Sequence, residues 1–258
     1  MLKGLYTAAA GMLASTTGTD TLASNLSNVN TVGFKGNKVN YQTFPEMLIN
    51  RMSSQGQERV GSLVTGSKVR GSYINFAPGA LQQTGNTFDL AIQGDGFFTV
   101  KSKINGNTYY TRAGNFTMDQ NGFLTTVNGD FVQGKLGNIQ LALDGGPFNI
   151  NGQGNVSGRN GTIDQLQVVR FEDNRTLEKV SENLYQTTSA SKKLPDPKVG
   201  ESFNYKVSAG MLEESNINPV AELVNNIQGL RLYEALQKNI HVHNDTLGKA
   251  VNEVGRPR

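Results

Sequence analysis

The sequence predicts an α+β protein, with terminal helices forming a coiled-coil layer and a mainly antiparallel β-domain between them. Three observations predict it. The last forty residues carry apolar side chains at helical spacing. The first thirty carry a weaker stripe of the same kind. Between them the period changes to two and Asn-Gly pairs recur, as strands and tight turns require. Helices at both ends and strands in the centre imply segregated elements, not an alternating α/β sheet.

The N-terminal stripe runs Leu2, Leu5, Ala9, Met12, Thr16, Thr19, Ala23 and Leu26, in steps of 3 and 4. Two threonines and two alanines make it narrow, so this helix is marginal alone. Small residues (Ala8, Ala9, Ala10, Gly11 and Ala14) let a neighbouring helix approach closely. Tyr6, Thr7 and Gly11 interrupt the apolar run, so no cleaved signal peptide is expected. Asn28 to Gly33 should end the helix, with asparagine and glycine tolerating left-handed backbone. Phe44 to Met52 reads as a short amphipathic helix with Pro45 near its start. Ser53 to Thr65 reads as a polar, mobile linker.

From Lys68 to about Ala209 we expect antiparallel strands with few or no helices. Asn105-Gly106, Asn121-Gly122, Asn128-Gly129, Asn151-Gly152 and Asn160-Gly161 suggest type I′ turns, which need positive φ at both central positions. Ser189 to Gly200, with Pro195 and Pro197, reads as a second polar link. The C-terminal stripe then runs Val220, Leu223, Ile227, Leu230, Tyr233, Leu236, Ile240, His243, Leu247, Ala250 and Val254, a heptad seam with one residue dropped after Leu230. Asn218 is a good N-cap, Pro219 suits the first helical position, and Glu222 complements the helix dipole. Gly255 and Pro257 should end the helix. At 1.5 Å per residue it is about 50 Å long and needs a partner along its length. The two terminal helices are expected to pair with each other and then with other copies; the simpler alternative is a helical hairpin within one chain. The expected division is 1–30 and 215–258 as terminal coiled-coil helices, 31–67 as a linker region with a short helix, and 68–210 as a β-rich outer domain.

Composition narrows the function. A chain of 258 residues can bury a real core, but only 36% of it is hydrophobic and 30 residues are glycine, which suits a turn-rich protein buried partly on assembly. The net charge of +3 comes from scattered basic residues, not a nucleic-acid footprint. With no cysteine there is no disulfide, thiolate nucleophile or cysteine metal site. No apolar run is long enough to span a membrane.

No catalytic, cofactor or metal residues are assigned. Gly94-Asp95-Gly96 begins like a dinucleotide fingerprint, but Thr99 replaces the third glycine and no helix is expected after it. Asp119-Gln120-Asn121-Gly122 is a turn, not a calcium loop. His241 and His243, the only histidines, are two apart, so on a helix they point to different sides and cannot chelate one metal. One should line the seam and the other face solvent. Asp89, Asp95 and Asp130 read as turn and surface residues.

Four ordered motifs carry a family resemblance. They are Ala23-Ser24-Asn25-Leu26-Ser27-Asn28-Val29-Asn30-Thr31-Val32-Gly33-Phe34-Lys35; Pro78-Gly79-Ala80-Leu81-Gln82-Gln83-Thr84-Gly85-Asn86 leading into Asp89 to Phe98; Tyr110-Thr111-Arg112-Ala113-Gly114-Asn115-Phe116; and Gly210-Met211-Leu212-Glu213-Glu214-Ser215-Asn216-Ile217-Asn218-Pro219, followed by Arg231-Leu232-Tyr233-Glu234. The chain closely resembles the bacterial flagellar rod and hook proteins from end to end, and looks most like a basal-body rod protein, proximal or distal. The resemblance implies a non-enzymatic, self-assembling rod subunit that transmits motor torque to the hook. The terminal helices would form the inner layer of a helical tube. Implied partners are copies of itself, neighbouring rod and hook proteins and the flagellar type III export apparatus, without nucleic acid or membrane insertion. The implied location is the flagellum basal body in the cell envelope.

The expected subunit-interface residues are Leu5, Ala9, Met12 and Leu26 on the first helix, and Leu223, Ile227, Leu230, Tyr233, Leu236, Ile240 and Leu247 on the last. Asn30, Gly33 and Phe34 are expected to set the chain's exit direction, with Phe34 packing into a neighbour. Two rivals differ in class. One is a secreted β-rich adhesin or carbohydrate-binding module with helical termini, against which the matching seams argue. The other is a cell-wall hydrolase, for which no acid pair or added domain is visible.

Overall fold

The computed structural model describes residues 2–44, 47–53, 56–63, 66–141, 148–159, 161–194 and 205–254. Pro45, Asn160, Pro195, Pro197, Gly255 and Pro257, which entered the expectations above, lie outside them. The chain is α+β with antiparallel sheets, a helix α1 at Leu2–Ser27 and a helix α2 at Pro219–Lys249, continued by a π-turn at Ala250–Val254. It forms two compact units: Met1–Ser27, Asn37–Ile74 and Asn218–Arg258 make the helical unit, and Asn28–Gly36 with Asn75–Ile217 make the β-rich unit. These bounds depart from the expected division. Strand Ser67–Ile74 belongs with the helices, and Asn28–Gly36 belongs with the β-rich unit.

In the helical unit α1 and α2 run antiparallel, because contacts that climb α1 descend α2. Gly4 faces His243, Gly11 faces Leu236, Thr19 faces Gly229, and Asn25 bonds Glu222. Asn218 caps α2, its side chain accepting from the Val220 and Ala221 amides, with Pro219 at the start and Glu222 in the first turn, as expected. The threonines of α1 turn their hydroxyls back onto the helix: Thr16 donates to Met12 O (3.0 Å) and Thr21 to Thr17 O (2.9 Å).

Strands Asn37–Thr43 and Ser67–Ile74 form an antiparallel ribbon with a bulge at Asn40/Tyr41. The Asn25 side chain donates to Asn37 O (2.8 Å) and accepts from Asn37 N (2.9 Å), so it acts as a strand partner for the start of the ribbon. The residues expected as a short helix and mobile linker instead form a second hairpin, Met47–Ser53 with Gly56–Leu63. Its register shift at Ile49/Asn50 breaks the alternation that period-reading relies on.

In the β-rich unit the main sheet runs, in order, Leu177–Lys179, Leu184–Thr187, Thr108–Thr111, Phe97–Lys101, Phe131–Val132, Leu124–Thr126 and Phe116–Met118, with Val168–Val169 also on Phe97–Lys101. Phe97 to Val100 are buried on both faces, which explains a continuous apolar run. On one face Phe98, Leu90, Ile92, Val100, Leu124 and Val132 build the core. On the other Phe97 meets Phe76, Phe171 and Tyr185, with centroids 5.5, 5.8 and 5.9 Å away. Shorter sheets flank it, including Tyr205–Ala209 on Leu90–Gly94 and Met211–Glu213 on Leu81–Gln83.

The Asn-Gly turns differ from expectation in type. Among the described residues only glycines have positive φ, so Asn105-Gly106, Asn121-Gly122, Asn128-Gly129 and Asn151-Gly152 do not form type I′ turns; Asn160 lies outside the described residues. At Asp119–Gly122 and Thr126–Gly129 the glycine N–H donates to the residue three before it (2.8 and 2.9 Å), and Gly122 and Gly129 then take φ of 76° and 88°. That is a type I turn closed by a left-handed glycine, which needs one such residue, not two.

Candidate functional site

The covered face of α2 follows Glu222, Asn226, Gly229, Tyr233, Leu236, Ile240, His243 and Leu247, all half-buried, in unbroken steps of 4 and 3. No residue is dropped, which corrects the expected discontinuity after Leu230. No residue between Pro219 and Lys249 is fully buried. The upstream half of the expected seam lies on the far side of the helix: Val220, Leu223, Ile227 and Leu230 are 70, 50, 44 and 52% exposed, with Val224 beside them. Its downstream half, Tyr233, Leu236, Ile240 and Leu247, falls on the covered face. His243 sits against Gly4 and His241 is exposed, so the two histidines divide as helical spacing requires.

On α1 the contact stripe is displaced by one residue from the expected one. Ala8, Ser15, Gly18 and Asn25 are buried, with Gly4, Gly11 and Leu22 half-buried between them. Leu5, Met12 and Leu26 flank this stripe half-buried, and Ala9 is exposed. Apart from Leu22 this stripe consists of glycine, alanine, serine and asparagine, so it carries almost no apolar periodicity. A Cβ at Gly11 would lie 3.0 Å from Leu236 Cδ1, and one at Gly229 would lie 2.7 Å from Thr19 Cγ2. Ser15 Oγ donates to Gly229 O at 2.9 Å. The helices touch through backbone, where hydrophobicity gives no signal.

Glu222 lies at the upstream end of the covered face, against Asn25. Burial pushes its carboxyl above the ordinary glutamate range, and the hydrogen bond from Asn25 and the charge of Lys38 pull it back.

The segment after α1 behaves differently from expectation. Asn30 is exposed, but Gly33 and Phe34 are buried inside their own chain. Gly33 takes φ of 67°, its N–H donates to Glu213 O (2.7 Å), and a Cβ there would lie 2.3 Å from Ala113 N. Phe34 is fully buried under Lys179, whose Nζ lies 4.0 Å from the ring centroid. It has no face left for a neighbouring copy, so its assignment as a subunit-interface residue is withdrawn. Gly114 is constrained as tightly as Gly33, since a Cβ would fall 1.6 Å from Leu90 O.

Sequence reading also missed Lys35, Arg112 and Glu213, which meet in the β-rich unit with 0, 5 and 1% exposure. The available signal was a lone charge in each of two motifs, Lys35 and Arg112, while in the third Glu213 stands beside Glu214 and the sequence does not say which of the two is buried.

Family profiles match three stretches: a flagella basal body rod protein at 5–35, a flagellar hook protein FlgE/F/G D1 domain at 91–158, and a flagellar basal body rod FlgEFG protein C-terminal region at 208–253. Similar curated proteins include the flagellar basal-body rod protein FlgG of Bacillus subtilis, 32% identical over 98% of this chain and 99% of that one. FlgG of Borreliella burgdorferi is 33% identical over 98% of each. The flagellar basal-body rod protein FlgF of Caulobacter vibrioides is 32% identical over 92% of this chain and 91% of its own. The displaced small-residue stripe, the glycine-tight turn and the β-rich unit are thus features of a chain that belongs to the flagellar basal-body rod protein family.

Proposed function

We propose that the chain is a structural subunit of the flagellar basal-body rod that assembles with copies of itself into a helical tube and carries motor torque to the hook. One observation carries this reading: a 31-residue helix on which no side chain is fully buried and whose far side bears Val220, Leu223, Val224, Ile227 and Leu230. An aliphatic stripe of this length is normally covered. Because the stripe and the α1 contact lie on different sides of α2, a stripe that packs on a different surface of the next copy makes a heterologous contact that need not close.

In the tube α1 and α2 form the inner coiled-coil layer and the β-rich unit the outer one. Leu5, Ala9, Met12, Leu26 and Asn30 join Leu223, Ile227 and Leu230 at contacts between copies, with Tyr233, Leu236, Ile240 and Leu247 completing the helix packing. Neighbouring rod and hook proteins are the further partners. The chain is exported through the flagellar apparatus and has no catalytic role. Family membership favours this reading over an adhesin or carbohydrate-binding module.

The test is Ile227→Glu in cells lacking the native gene. A charge forced into a dry contact is strongly unfavourable, while on the exposed face of the free chain it costs less than about 0.5 kcal/mol. Electron microscopy should show basal bodies without a complete rod, although the purified variant melts like the parent. Complete rods and normal swimming would remove this surface from assembly.

A further inference from the structure

Three family motifs each contribute one charge to a single buried site, Lys35, Arg112 and Glu213. Glu213 Oε1 accepts from Lys35 Nζ (2.5 Å) and from the Gly79 N–H (3.0 Å), and Oε2 accepts from Arg112 Nη1 (3.3 Å). Arg112 also donates to Ile92 O (3.3 Å) and Gly94 O (2.9 Å), and its guanidinium lies 5.2 Å from the Phe97 ring centroid. Lys35 donates besides to Ala77 O (2.9 Å). The site holds two cations and one anion in a dry interior. Burial holds the Lys35 ammonium below its ordinary range, Glu213 pulls it up, and Arg112 pushes it further down.

Such a site is a poor source of stability. Desolvating the charges costs about as much as their attraction returns, and apolar replacements of equal volume often fold as well. What it joins is more informative. Lys35 sits on Asn28–Gly36, a segment separate in sequence from the rest of the β-rich unit. The backbone around the triad ties the same segment down: Gly33 N donates to Glu213 O (2.7 Å), and Gly36 N to Asn216 Oδ1 (3.0 Å). Asn216 in turn donates to Asn75 O (2.7 Å) and Ala77 O (3.0 Å).

We propose that the Lys35–Glu213–Arg112 triad is a latch that docks Asn28–Gly36 on the β-rich unit, and that neutralising Glu213 opens it while leaving the sheet intact. The two cations would not respond equally. Without the Glu213 charge, Arg112 keeps two backbone carbonyls and an aromatic face. Lys35, among the described residues, keeps the Ala77 carbonyl alone to offset its burial. The lysine therefore leaves for water and takes its segment with it.

Hydrogen exchange on the full chain tests this. In Glu213→Gln the amides of Gly33, Phe34 and Gly36 should exchange faster by about tenfold or more, while Val100 and Tyr110 in the sheet stay within about twofold. Lys35→Met/Glu213→Gln removes the stranded ammonium and should restore protection to within about threefold of the parent. Lys35→Met alone leaves Glu213 with Arg112 and the Gly79 N–H and should be similarly mild. Unchanged exchange at 33–36 in Glu213→Gln overturns the latch. So does equal loosening of the sheet, or a Glu213→Gln chain that does not fold, because the charge then supports the whole unit. A double variant no better than Glu213→Gln, or a Lys35→Met as damaging as it, overturns the charge mechanism.

Discussion

The β-rich unit and the helical unit protect their side chains in opposite ways. In the first, Leu90, Phe98, Val100, Leu124, Val132 and Val156 are at most 1% exposed and sit in one continuous core. In the second, α1 buries two alanines with serine, asparagine and glycine, and α2 buries nothing completely. One unit carries its stability inside itself, while the other uses its own chain to cover one helix face and leaves another open. Helix pairs held by so narrow a stripe are marginal without further packing.

The largest effect should come from breaking the β-rich unit where the segment after α1 enters it. Gly33→Val puts a β-branched side chain at positive φ with its Cβ inside contact distance of the Arg112–Ala113 backbone. Left-handed backbone and overpacking together should cost about 3 kcal/mol or more. The melting temperature of the β-rich unit should fall clearly in calorimetry. A variant that melts normally yet fails to form rods would instead place the role of Gly33 in assembly.

A smaller effect separates the units. Leu236→Glu places a charge beside Gly11 in the half-covered helix contact. We expect a loss of about 1–2 kcal/mol in helix pairing, below the range for a fully buried leucine, and a change under about 0.5 kcal/mol in the β-rich unit. Exchange at α1 and α2 amides measures the first and calorimetry the second. Lys238→Glu, on an exposed position, is the control and should leave both alone. Equal damage to both units by Leu236→Glu would mean that they melt as one.

The smallest effect is a pH dependence. The Glu222 carboxyl is held above its ordinary range in the fold. Its protonated form is therefore favoured by folding, and the associated stability is present at pH below about 4.3 and lost as pH rises through the folded value. Glu222→Gln should thus slightly raise the helix-pair melting temperature at pH 7, and the gain should vanish near pH 4. The first-turn position, which favours a negative charge, keeps the difference small. A gap that widens on acidification would show that burial does not dominate at this site.

The cap of α2 was legible because capping is local: Asn218, Pro219 and Glu222 act on amides within one turn. The antiparallel sheets were legible because their turns and apolar runs are local too. The helix expected at Phe44 to Met52 failed because an amphipathic pattern broken by a register shift resembles a helical period. Type I′ turns failed because Asn-Gly also suits a turn that asks positive φ of the glycine alone.

By itself the sequence determined the two terminal helices, the antiparallel β character between them, and the family, since each follows from periodicity, capping and ordered motifs along the chain. Which helix face is covered, that Phe34 is buried within its own chain, and that Lys35, Arg112 and Glu213 share one site emerge from packing in three dimensions. The reason is physical. Glycine and alanine stripes act through backbone proximity, and a buried charge takes its meaning from partners up to 178 residues away along the chain, so neither leaves a local trace.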